Sequence, residues 1–183
     1  MSFDFFSTWH LIRFSGFLAL FLMTFSISAG LLSRMGLCQR KKPFMIELHQ
    51  TSGWVGFLVI LFHMILLSKD EYISYQVSEI LVPFTADYAP FSSALGTLSF
   101  FLFFVVMITS DFFMKKLGRN LWKKVHLFVL PAWILMVLHG ILIGTDTEQT
   151  GIISVYAGSI SLVLLLFVLR YVEGLLQPIK KPN

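Results

Sequence analysis

Four histidines carry the chemistry that this sequence offers: His49, His63, His126 and His139. Each interrupts an otherwise apolar stretch, where a coordinating side chain is costly to keep and therefore marks function. One such histidine is readily satisfied by a neighbouring backbone or hydroxyl group; four, in two pairs, point to metal ligation. His49 and His63 are fourteen residues apart and His126 and His139 thirteen, so at helical rise each pair spans about 20 Å along its axis. Two helices running in the same sense then set His49 level with His126, and His63 level with His139. Facing imidazoles at one depth clamp a haem iron from both sides, and two such levels make a stack that bridges a membrane. The one cysteine, Cys38, excludes an internal disulfide, a cysteine-held cluster and haem attachment through C-x-x-C-H.

The elements that must position these histidines are membrane spans. Of 183 residues, 56% are hydrophobic and 13% charged, too few charges to clothe a soluble domain. Three windows, Phe14 to Leu32, Tyr88 to Ser110 and Gly151 to Leu169, contain no Asp, Glu, Lys, Arg or His. Each is long enough to cross a hydrocarbon core of roughly 30 Å. Two more, Phe44 to Leu67 and Val125 to Ile143, are broken almost solely by histidines and Glu47. The expectation is an all-α integral membrane bundle of five transmembrane helices, over about 9–32, 44–67, 88–110, 121–143 and 151–172, forming a single domain over 1–183. Ile73, Val77, Ile80 and Leu81 recur at helical spacing before Pro83, which predicts a short helix on the outer surface, covering the bundle end or acting as a lid. The start, MSFDFFSTW, lacks the basic region of a signal peptide, so the first helix is expected to be retained. No internal repeat or low-complexity tract is evident.

Charge sets the expected orientation. Arg34, Arg40, Lys41 and Lys42 follow the first helix, Lys115, Lys116, Arg119, Lys123 and Lys124 the third, and Arg170, Lys180 and Lys181 the fifth. The other connections carry Asp70, Glu71, Glu79 and Asp87 against one Lys69, and then Asp146 and Glu148. The positive-inside rule places the N-terminus outside and the C-terminus in the cytoplasm of a multi-pass cell-membrane protein. The net charge of +4 therefore encodes topology and points to membrane lipid, not nucleic acid. His49 and His126 fall near the inner face, His63 and His139 near the outer.

Helical phase separates the two histidine helices. Fourteen steps of 100° return to within about 40° of the start, so His49 and His63 share a stripe with Gly53, Gly56 and Ile60. Gly53 and Gly56 either clear space for a flat macrocycle or let two helices pack closely. Thirteen steps leave His126 and His139 about 140° apart. Pro131, between them, can kink or rewind the helix by removing a backbone bond; the alternative is a sideways offset of the two haems.

The stretch VPFTADYAPFSSALGTLSFFLFFVVMITSDFFMKKLGRNLWKKVHLFVLPAWILMVLHG resembles the ferric reductase-like transmembrane domain, shared by ferric reductases, NADPH oxidases and the haem subunit of a methionine sulfoxide reductase system. Thr109 and Ser110 ending a helix, a basic stretch with Leu117 and Gly118, and Trp122 before the first histidine carry the likeness, which runs from a short RFSGFLAL start over roughly residues 9 to 172. The resemblance implies two b-type, bis-histidine haems, one on His49 with His126 and one on His63 with His139. It also implies electron flow from the inner to the outer haem, and reduction of the acceptor at the haem edge, with no separate catalytic residue. Arg13 is a candidate partner for the outer haem's propionates or a snorkelling residue, and Lys123, Lys124 and Arg40 are candidates at the inner face. His10 and Glu47 read as interfacial, Trp9 and Trp122 as interfacial anchors, and the twenty Phe as packing and lipid contacts.

Two departures from the family matter. Many members have six helices where five are expected here. The sequence runs only about ten residues past its last helix and contains no G-x-G-x-x-G, so no flavin and nicotinamide domain of its own is expected. The expected donor is separate: a flavoprotein, a flavin supplied by a partner, or membrane quinol. The expected product is an oxidoreductase of its own or an electron-transfer subunit serving an extracytoplasmic acceptor or reductase. The rival class is a non-redox scaffold or transporter component whose histidines line a polar seam.

Overall fold

The structure, a computed structural model, describes residues 7–70, 73, 75–144, 147 and 149–176. Glu71, Asp146, Glu148, Lys180 and Lys181, used above for orientation, lie outside the described residues. Helix α1 covers Thr8–Leu32, a 3-10 turn Gly36–Lys41 leads into α2, Lys42–Leu67, and α3 is the short Val77–Leu81. The chain continues through α4, Pro90–Asp111, α5, Met114–His126, α6, Val129–Ile143, and α7, Thr150–Leu176. The described residues contain no strand, and five segments are long and apolar enough to cross a membrane. The chain is a multi-pass membrane protein.

Prolines open two of the helices. Pro43 and Pro90 sit in the first turns of α2 and α4, where a missing N–H leaves no bond unmade. Helix α3 starts on a reciprocal cap between Gln76 and Glu79 and stops two residues before Pro83.

The fourth span departs from the continuous helix over 121–143. It begins at Met114, is interrupted at Gly118, and breaks again at Leu127 and Phe128. Gly118 has φ 73° and ψ 156°, a backbone state open to glycine and strained for other residues. At the second break, Pro131 has no N–H to give the Leu127 carbonyl, and the Leu130 N–H takes that oxygen instead at 3.1 Å. Phe128 likewise bonds three residues back, to Val125. Such tightened turns advance about 120° per residue instead of 100°, so a short run adds a few tens of degrees. The phase gap between His126 and His139 narrows accordingly.

Helix α1 packs antiparallel to α2, α4 antiparallel to the α5–α6 span, and α7 lies against α1. Contacts of α1 with α6 and of α2 with α4 close the bundle. Leu20, Met23, Phe57, Phe100, Phe103, Trp133 and Val137 fill its middle, where Phe57 and Phe100 stack at 5.9 Å. Trp133 donates to Thr24 Oγ1 at 3.0 Å, satisfying a polar group that lipid-like surroundings leave no other partner. Phe14, Phe21, Phe62, Leu164 and Phe167 point outward as a lipid-facing coat. One end of the bundle carries the basic turns after α1 and α4; the other carries α3, and we term them the basic end and the lid end.

Candidate functional site

Helix α1 forms the rear wall for both histidines of α2. His49 Nδ1 donates to the Ser26 carbonyl at 2.9 Å and lies 3.0 Å from Ser26 Oγ, whose own hydroxyl donates to the His49 carbonyl at 2.8 Å. His63 Nδ1 donates to the Ile12 carbonyl at 3.0 Å and lies 3.1 Å from Ser15 Oγ. The ring of His49 rests on Gly30, where a Cβ would stand 3.0 Å from Nδ1, and that of His63 rests on Gly16, where it would stand 3.5 Å from Cε1.

Helix α4 does the same for the fourth span. His139 Nδ1 donates to the Ser92 carbonyl at 2.7 Å, and its ring covers Gly96, where a Cβ would stand 2.8 Å away. His126 differs: its Nδ1 lies 3.1 Å from Ser110 Oγ, and that oxygen accepts from Trp122 Nε1 at 3.2 Å. The Trp122 and His126 rings lie 5.2 Å apart at 34°. A carbonyl cannot donate, so Nδ1 carries the proton in His49, His63 and His139. Their Nε2 is then the lone-pair nitrogen, the tautomer that a metal ligand requires.

The four rings meet in two pairs. His49 and His126 lie 5.8 Å apart between ring centres, edge to face. His63 and His139 line one cavity of about 250 Å³ at the lid end, together with Arg13, Phe17, Tyr75 and Tyr156. The lid over this cavity is tied down: Thr97 Oγ1 donates to the Ile80 carbonyl at 2.9 Å, and Tyr75 OH to the Tyr88 carbonyl at 3.3 Å. Burial pushes the Tyr75 phenol above its usual range, opposed by its bond to Ser93. Glu79 accepts from the backbone N–H of Asp87 and of Gln76, which holds its carboxyl below the usual range.

The other expected residues fall as follows. Gly53 and Gly56 turn toward α1: a Cβ on Gly53 would meet Ser26 Oγ at 3.1 Å, and one on Gly56 Leu22 Cβ at 3.2 Å. There they permit close helix packing, the second of the two roles open to them. Arg13 lines the lid-end cavity. Lys123, Lys124, Arg40 and Glu47 are exposed, and His10 bonds Ser7 at 2.6 Å. Trp122, expected as an interfacial anchor, reaches Ser110 and leans on His126.

The acceptors and the glycine seats were missed. A signal for them exists in α1: Ile12 and Ser26 are fourteen residues apart, as are Gly16 and Gly30, the same interval as His49 to His63.

Bundle and site together define a multi-pass helical membrane protein with two histidine levels stacked along its axis. The ferric reductase like transmembrane component family matches residues 15–137, and the chain belongs to that family. The match takes in His49, His63 and His126 and stops two residues before His139. No curated protein and no solved structure matches the chain. Family membership gives it a redox role, electron transfer in the membrane.

Proposed function

We propose that the chain is a di-haem, b-type transmembrane electron-transfer protein, with His49 and His126 ligating one haem and His63 and His139 the other. The observation that carries this is the state of the imidazoles: in three of the four a backbone carbonyl fixes the proton on Nδ1 and frees Nε2. The lid-end level offers two such nitrogens and the basic-end level one, with His126 facing it; two imidazoles are what an iron already held by a porphyrin still needs. When bound, the haems supply one-electron carriers at two depths. The chain's own residues do the rest. Ile12, Ser26, Ser92 and Ser110 hold the rings in place, the glycines of α1 and α4 give them their seats, and Arg13 places a positive charge at the lid-end cavity for propionates or an anionic acceptor.

The direction follows from charge. With the basic end in the cytoplasm, the chain takes electrons there from a separate donor, a flavoprotein or membrane quinol. It passes them outward to an extracytoplasmic acceptor or reductase subunit at the lid end. On this reading residues 1–183 form one domain.

Absorption spectra of the purified chain test the proposal. Two haems per chain with reduced b-type bands are expected. His63→Ala and His139→Ala should each remove one haem and leave the same other, while His49→Ala and His126→Ala leave its counterpart. A chain with fewer than two haems, or His63→Ala and His49→Ala removing the same haem, would sink it.

A further inference from the structure

One of the four histidine seats is built differently. For three rings, a backbone carbonyl accepts from Nδ1 and a glycine four residues later receives the ring: Ile12 with Gly16, Ser26 with Gly30, and Ser92 with Gly96. The two units on α1 are offset by fourteen residues. The same offset on α4, from Ser92 and Gly96, arrives at Val106 and Ser110. A serine thus stands where the other three seats have glycine, and its hydroxyl is the atom beside His126 Nδ1. That oxygen already accepts from the Trp122 indole.

The chemistry of the fourth ligand changes accordingly. An imidazole whose Nδ1–H is held by a strong acceptor becomes a more basic ligand and favours the oxidised metal. A carbonyl does this at His49, His63 and His139. With Nε2 of His126 as the ligand nitrogen its Nδ1 carries the proton, and the acceptor beside it is one hydroxyl oxygen shared with the Trp122 indole, which draws less on the ring's proton. Resting on the two-haem reading above, we infer that Ser110 and Trp122 are positioning residues that hold His126 as the least electron-donating of the four ligands. The basic-end haem is thereby poised further toward its reduced form than a carbonyl behind His126 would leave it. The step is a one-electron change at iron and moves no proton off Ser110.

Spectroelectrochemistry of the haem-loaded full chain tests this through signs. Ser110→Ala removes the acceptor, so at a fixed potential the reduced-to-oxidised ratio of the basic-end haem should rise about fivefold, the weight of one hydrogen bond. Trp122→Phe leaves the hydroxyl to His126 alone, and the ratio should fall by a smaller factor. The lid-end haem should be unmoved in both. A purely structural role predicts haem loss or shifts of one sign, and either same-sign shifts or none at full occupancy overturn the inference. Where Ser110→Ala loses the haem, Ser110→Thr keeps the hydroxyl and must retain both haem and wild-type poise; loss there too overturns it. Wild-type chain without haem refutes the two-level reading and the role of Ser110 and Trp122 together, whereas loaded chain with same-sign shifts refutes their role alone.

Discussion

The two histidine levels share a plan and differ in how they are enclosed. At the lid end, His63 and His139 are both backed by carbonyls and open onto a cavity roofed by α3 and its flanking turns. At the basic end, the rings of His49 and His126 approach one another closely, and the wall behind His126 is side chain instead of backbone. A backbone carbonyl in a helix is fixed by the whole helix, so the lid-end ligands are set by the scaffold. The basic-end level depends on Ser110 and Trp122, side chains that substitution can remove singly. One level is therefore tuned by residue identity and the other by helix placement.

The seats give the strongest way to break this comparison. Gly96→Ala puts a Cβ 2.8 Å from the His139 ring, closer than carbon tolerates, and overpacking of this kind costs about 1–3 kcal/mol. The expected outcome is loss of the lid-end haem with the basic-end haem retained. Gly30→Ala, with its Cβ at 3.0 Å from His49, should weaken the basic-end haem in part. Gly16→Ala, at 3.5 Å from His63, should change little. Haem spectra of the three variants rank them, and equal damage from Gly16→Ala and Gly96→Ala would show that the seats are not what holds the rings.

A smaller effect is expected between the levels. Trp133→Phe keeps most of the ring but removes the bond to Thr24, leaving a hydroxyl unpaired at a cost of about 1 kcal/mol. Thermal unfolding in detergent should show this loss with neither haem singled out. Preferential loss of one haem would mean that the middle layer belongs to that level.

The smallest effect sharpens the lid side. Because Glu79 titrates below its usual range in the folded chain, its bonds to the Asp87 and Gln76 amides contribute stability at pH above the ordinary glutamate value. That contribution fades as pH falls toward the depressed native value. Hydrogen exchange should show the amides of Gln76 and Asp87 opening in that acidic window while α2 and α6 stay protected, and Glu79→Gln should flatten the response. An unchanged pH response in Glu79→Gln would remove Glu79 from the lid.

Much of the architecture was legible because it rests on long-range averages. The five spans follow from windows free or nearly free of charge, and the interval from His49 to His63 returns to one face of an uninterrupted helix. Finer features were hidden for physical reasons. The break at Leu127 and Phe128 depends on which N–H takes the carbonyl that Pro131 leaves free, a choice made by local geometry. Gly53 and Gly56 lie on the histidine stripe, yet the angle between facing α1 and facing the partner histidines is too small for an ideal wheel to resolve. The acceptors Ile12, Ser26 and Ser92 were invisible because every residue has a carbonyl, and side-chain identity says nothing of which one a histidine will meet. Only the repeated glycine interval in α1 hinted at them.

The packed layer between the levels has an electrical meaning. Phe57, Phe100, Phe103, Val137 and Trp133 close the bundle axis, and the polar pair within it, Thr24 and Trp133, satisfies itself, so a packed and mainly apolar layer separates the two levels. An electron taking the proposed route would cross this layer of low polarity. Such a crossing would move charge across the bilayer, so turnover would feel the membrane voltage.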